Sequence, residues 1–132
     1  MNKFSGTIRG IETSGTISAV KLDVGGDMFT CVLIETPQTA TYLQVGKNAA
    51  LLFKETEVLI GKNLSGMLTA ANRMTAVITS IEQGKVLTQV TLKYKEYIVY
   101  SIITTQEALD TGIRIGDEVT AIVKSNEISL MG

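Results

Sequence analysis

Few residues in this chain could do chemistry. There is no histidine and a single cysteine, Cys31, so histidine-based catalysis, most transition-metal sites and an internal disulfide are all excluded. Cys31 sits in the apolar run MFTCVLI (28–34), a setting for a buried, inert thiol rather than a nucleophile. Glu12 and Glu82 could suggest a carboxylate pair, but they fall at matching turns of separate repeats and form no catalytic couple. Tyr94, Tyr97 and Tyr100 cluster on one hairpin and could stack bases; the charge balance, 12 Lys+Arg against 13 Asp+Glu, argues instead for core or subunit packing and against a nucleic-acid partner. What remains is a pair of lysines in related settings, KETEVLI (54–60) and KSNEISL (124–130).

Those two segments are the end of a longer repeat. Sliding the sequence by seventy, residue 54 onto residue 124, superposes Asn2 on Asn72, Ile8 on Ile78, Val20 on Val90, Leu22 on Leu92, Gly46 on Gly116 and Glu57 on Glu127 without a gap. Apolar class persists where letters change, as at Val32/Ile102, Leu43/Ile113 and Leu52/Ile122. The chain therefore reads as two copies of one ~60-residue module, 1–62 and 63–132, joined near Gly61 to Leu68 where the pattern lapses.

Each copy reads mostly as strands. SAVKLDV (18–24) and TQVTLKY (88–94) alternate apolar and polar residues with the period of a half-buried strand. Gly25-Gly26-Asp27 suits a hairpin turn, and Lys95-Glu96 takes its place in the second copy. MFTCVLI (28–34) and YIVYSII (97–103) are apolar on both faces, which predicts cover on two sides, one of them a neighbouring subunit. A short helix is expected next: Thr104-x-x-Glu107 has the form of a capping box closed by Gly112, and Thr36 before Pro37 suits a first turn in the other copy. The expected fold is all-β with short helices, two tandem OB-like five-stranded barrels. With 45% apolar residues, no bilayer-length apolar run and no signal-like N-terminus, the chain is placed in the cytoplasm without a membrane partner.

The order of segments in the second copy, TAAN (69–72), VITSIEQGKVLTQVTL (77–92) and IITTQEALDTGIRIGDEVTAIVKSNEISL (102–130), resembles the Mop domain of molybdate-binding proteins, also called the molbindin or transport-associated OB (TOBE) domain. Two such modules in tandem resemble the di-Mop molbindins. The resemblance implies a cytoplasmic protein, not an enzyme, that binds molybdate or tungstate for storage or homeostasis and assembles as a homo-oligomer, a trimer being favoured. The alternative it leaves is a degenerate di-Mop scaffold without an anion site of its own.

A tetrahedral dianion needs convergent N–H and O–H donors and a cation, and no redox-active ligand. The family's anion-binding segments fall on Thr69, Ala70, Ala71 and Asn72, on Thr104, and on Lys124 and Ser125. Ala71 stands where the family has arginine and Glu107 where it has serine; Arg73, two positions on, is a candidate substitute. In the first copy Asn2, Gly6 and Lys54 fit the pattern, while Met1, Ile34, Pro37 and Glu55 replace the arginine, threonine and serines. Lys54 is expected to complete a pocket begun by the second copy.

Overall fold

A computed structural model describes residues 1–132. The first copy forms β1 (Asn2–Ser14), β2 (Ile17–Val24), β3 (Asp27–Leu33), β4 (Asn48–Phe53) and β5 (Leu59–Gly61); the second forms β6 (Asn72–Gln83), β7 (Leu87–Tyr94), β8 (Tyr97–Thr104), α1 (Thr105–Thr111), β9 (Glu118–Val123) and β10 (Ser129–Met131). Alternation builds them as expected: along β2, Ser18, Val20, Leu22 and Val24 point inward, and along β7 Thr88, Val90, Leu92 and Tyr94 do the same. The β1–β2 ladder slips between Ile8 and Gly10 and the β6–β7 ladder between Ile78 and Ser80, so the two copies carry a bulge at the same place and curl alike.

The sheets are completed by exchange. Their strand orders are β10-β4-β1-β2-β3 and β5-β9-β6-β7-β8, so each sheet takes its fifth strand from the other half of the chain. β5 pairs with β9 through Leu59 with Ile122 and Ile60 with Ala121, and β10 pairs with β4 through Ser129 with Leu52 and Leu130 with Leu51. The two copies also share one apolar core of 27 buried residues. At its centre the Phe4 ring packs against Phe29, Phe53, Tyr94 and Tyr97 with centroids 4.4 to 5.6 Å away. Tyr94 and Tyr97 are thus packed into the joint between modules, while Tyr100 is exposed. A ~60-residue module buries little surface alone, and a shared core with exchanged strands offsets that deficit.

Two asparagines lock the joint. Asn2, at the start of β1, donates from Nδ2 to the Tyr100 carbonyl (2.9 Å) and accepts the Tyr100 amide at Oδ1 (2.8 Å). Asn72, at the start of β6, makes the same two bonds with Thr30 (2.8 and 2.7 Å). Both side chains are buried, so each asparagine acts as a one-residue strand pairing against the other module's third strand.

The helix expected after β3 is absent. Thr36 does open a turn: its carbonyl accepts the amides of Thr39 and Ala40, and Thr39 Oγ1 accepts the Thr36 amide. The turn ends there because Thr39 and Thr41 are poor helix formers, whereas Gln106-Glu107-Ala108-Leu109 in the second copy sustain α1. Gly112 closes α1 in the left-handed conformation (φ 65°), as its capping signature predicts. Cys31 is fully buried, and desolvation pushes its thiol up to about 12.

Candidate oxyanion site

β9 ends at Val123, and Lys124 follows in extended conformation (φ −66°, ψ 144°) as the residue before a single 3-10 turn, Ser125–Glu127. That placement sets the lysine at the rim of a cleft of about 390 Å³. Leu59 and Ile60 of the exchanged β5 form one wall, Leu68, Thr69 and Ala70 another, and Ile122, Lys124 and Glu127 the third. The strand exchange is therefore what builds the cleft: without β5 from the first half, the second module would have no wall opposite Thr69. Outside the strand ladders, the Thr69 and Ala70 amides donate to no other backbone group. On a lining in which six of ten residues are apolar, the cleft offers the Lys124 ammonium and the Thr69 hydroxyl as donors, with the Glu127 carboxylate beside them.

Of the sequence-derived residues, Thr69, Ala70 and Lys124 are brought together here. Ala71 is exposed and outside the cleft. Asn72 is buried with its side chain committed to Thr30. Thr104 lies away from the cleft: its hydroxyl donates to Glu107 Oε1 (2.8 Å) and accepts the Glu107 amide (3.1 Å). Ser125 opens the 3-10 turn beside Lys124 without lining the cleft. Lys54 precedes the matching turn at Glu55–Glu57, is exposed, and does not reach the Lys124 cleft.

The two departures from the family pattern resolve differently. Glu107 turns to the helix it begins, where Oε1 accepts the Thr104 amide at 3.0 Å, and the Thr104 amide followed by the hydroxyl hold its carboxyl below the usual range. Arg73 does not replace the missing guanidinium: its Nε donates to the Ala70 carbonyl (3.0 Å), and its side chain lines a neighbouring cavity with residues 64–68 and Thr120. Around Lys54, Glu55 meets the amino group of Met1.

Sequence reasoning missed Glu127. Its signal was present, since Glu57 and Glu127 recur three residues after each lysine, but the cleft that Glu127 lines is completed only by the exchanged β5. The 3-10 turn at 55–57 packs against β8 and the turn at 125–127 against β3. Burial and the Glu57 carboxyl push Glu127 upward, with Lys124 opposing.

Fold and site together define a class: paired five-stranded OB-like barrels, completed by exchange, with a cationic donor cleft at the seam. Residues 68–130 match the TOBE domain family. The curated molybdenum transport protein ModE of Azotobacter vinelandii is 24% identical over 131 residues, covering 98% of this chain and 48% of its own length. The chain thus spans about half the length of that relative. Among solved structures, the cytoplasmic molybdate-binding protein ModG with molybdate bound superposes with a TM-score of 0.91 at 27% identity, over 98% of this chain and 94% of its own.

Proposed function

We propose that this protein binds molybdate or tungstate in the cytoplasm, as a storage or homeostasis protein rather than an enzyme. The observation that carries the reading is that Lys124, Thr69 and Ala70 line one cleft, in a chain that over 98% of its length follows the fold of molybdate-binding ModG. The ammonium and the hydroxyl can both donate and the anion offers acceptors only, so they address its oxygens and no ligand reaches the metal. Ser125 and Asn72 follow cleft residues in sequence without lining the cleft, and they, Thr104, Ala71 and Lys54 belong to the site only if a second subunit brings them to an anion.

The reading includes assembly. Units 1–62 and 63–132 are the duplicated modules, and their third strands present Met28 and Val32, and Ile98 and Tyr100, outward, with Ile34 exposed just after the first of them. Such a face calls for cover, and we assign it to a homo-oligomer, a trimer by the resemblance to di-Mop molbindins. The test is metal analysis and titration calorimetry of the purified protein with molybdate, with sulfate in competition. Molybdenum retained above the sulfate control supports the reading; no retention at micromolar anion leaves only the scaffold role. Light scattering that finds a monodisperse monomer sinks the assembly.

A further inference from the structure

We propose that Arg73 is a positioning residue of the oxyanion cleft: it braces the wall that carries Thr69 against the sheet that carries Lys124, and acts on the anion through that wall rather than by its own charge. This rests on the reading of the Lys124 cleft as the oxyanion site.

The two donors of the cleft are held very differently. Lys124 follows β9, whose ladder with β6 runs from Asn72 opposite Val123 to Val77 opposite Glu118. Arg73 lies in that ladder opposite Ile122, and its neighbour Asn72 is tied to Thr30. Thr69 instead lies in the stretch 62–71 between β5 and β6, which has neither helix nor strand. No backbone–backbone hydrogen bond outside the ladders falls within that stretch. The Ala70 carbonyl is the one backbone group in it that a side chain holds, through Arg73 Nε at 3.0 Å. A segment with so few bonds belongs to the easily opened part of a fold, so the spacing between Thr69 and Lys124 depends on what ties the segment down.

Arg73 is placed to tie the wall and not to touch the anion. It lines a separate cavity of about 180 Å³ with Ser65, Met67 and Thr120 and is absent from the lining of the cleft, while Leu64 and Leu68 line both. The 64–70 segment is therefore a partition, with Arg73 behind it and Lys124 in front. The bond engages the Ala70 carbonyl on the Arg73 side, so an acceptor that would repel the anion is occupied away from it. No carboxylate competes for the guanidinium at ion-pair distance. The other end of the stretch is already pinned: Lys62 Nζ donates to the Gly112 carbonyl at 2.9 Å and pairs with Asp117 at 3.0 Å. Leu64 sits over Gly61 so closely that an added Cβ there would collide with its Cδ1. The end that carries Thr69 and Ala70 is left to Arg73.

The experiment is titration calorimetry of the intact protein with sodium molybdate for wild type, Arg73→Met and Arg73→Gln, beside urea unfolding and nitrogen-15 NMR of the anion-free proteins. Glutamine places an N–H donor as many bonds from the backbone as Arg73 Nε and carries no charge, while methionine keeps a stem of similar length and no donor. Arg73→Met is expected to weaken molybdate binding on the order of tenfold and to shift the Thr69 and Ala70 amide resonances. Arg73→Gln is expected to restore both toward wild type, with the urea midpoint unchanged throughout. In a Thr69→Val background most of the Arg73→Met effect should vanish, since the brace acts through that residue; fully additive losses overturn the inference. Equal weakening by Arg73→Met and Arg73→Gln assigns the effect to charge, and overturns it while leaving the Lys124 site standing. So does an Arg73→Met protein that binds as wild type or whose amide resonances at 69–70 stay in place. A fallen urea midpoint for Arg73→Met assigns the residue to global stability and overturns the inference as well. No molybdate heat from any of these proteins overturns the Lys124 reading and this inference together.

Discussion

Asn2 and Asn72 sit seventy residues apart in sequence and make the same pair of bonds to opposite modules; Lys54 and Lys124 are separated by the same interval, yet they look out on different surroundings. The asparagine joints are equivalent because each copy's fold depends on docking against its twin, so loss of either bond pair opens the shared core. The lysine turns are free of that constraint. Beside Lys124 stand Thr69 and the unpaired amides of the 69–70 segment, whereas beside Lys54 the chain supplies Glu55 and the amino group of Met1. Duplication has held the mutual contacts fixed and let the donor sets drift apart, so the molecule is twofold in architecture and one-sided in chemistry.

The largest expected effect tests the shared half of that comparison. Asn72→Ala and Asn2→Ala should each cost ~2–4 kcal/mol, because a buried amide is removed and two part-buried backbone groups lose their partners. Urea unfolding of both variants checks it, and the two costs should agree closely. A variant of either asparagine with an unchanged midpoint would show that the joints are not what binds the modules together.

Next comes the unshared half. Lys124→Ala should weaken molybdate binding by ~1.5–3 kcal/mol, tenfold or more, by removing a charge-assisted contact. Lys54→Ala should cost clearly less in the same calorimetric titration. Equal affinities for wild type and Lys124→Ala would mean that the cleft is not the anion site, and equal losses for the two lysines would restore the symmetry denied here.

A smaller effect separates the segments after the third strands. Thr104→Ala should lower stability by ~1 kcal/mol, as loss of an N-cap does, since its hydroxyl accepts the Glu107 amide at the head of α1. Thr36→Ala should cost less, because only one turn follows it. Thermal unfolding of the pair decides this.

Periodicity made much of the fold legible. The strands of Ile17–Val24 and Leu87–Tyr94 follow strict alternation, and α1 announces itself by its capping box and closing glycine. The exchange was not legible, because β5 and β10 are three residues each and any sheet edge of the right register would accept them; their partners are chosen by the tertiary contacts of the 3-10 turns before them with β8 and β3. The helix expected at Thr36-Pro37 came from reading a start signal without weighing the threonines that follow. At the site, residue type pointed to Thr69, Ala70 and Lys124, which the structure brings together, but type could not show that Asn72 and Thr104 spend their polar groups on Thr30 and Glu107. Nor could it show that Lys124 and Glu127 line a cleft with Leu59 and Ile60, since that cleft exists only once the strands have crossed.

The smallest expected effect concerns Glu107, where the second copy departs from its family and the first has Pro37. Its carboxylate accepts the Thr104 amide and hydroxyl, and lies outside the Lys124 cleft. Glu107→Ser should therefore leave molybdate affinity unchanged while lowering stability slightly. The pH dependence identifies the cause. The folded-state pKa of Glu107 is lowered, first by the Thr104 amide and then by its hydroxyl, so its contribution is complete above the ordinary glutamate value and lost as pH falls through the lowered one. The gap between wild type and Glu107→Ser in thermal midpoint should accordingly be present at neutral pH and close in acid. A gap that persists unchanged at low pH would assign the loss to helix propensity instead of the cap, and tighter anion binding by the variant would place the carboxylate in the cleft after all.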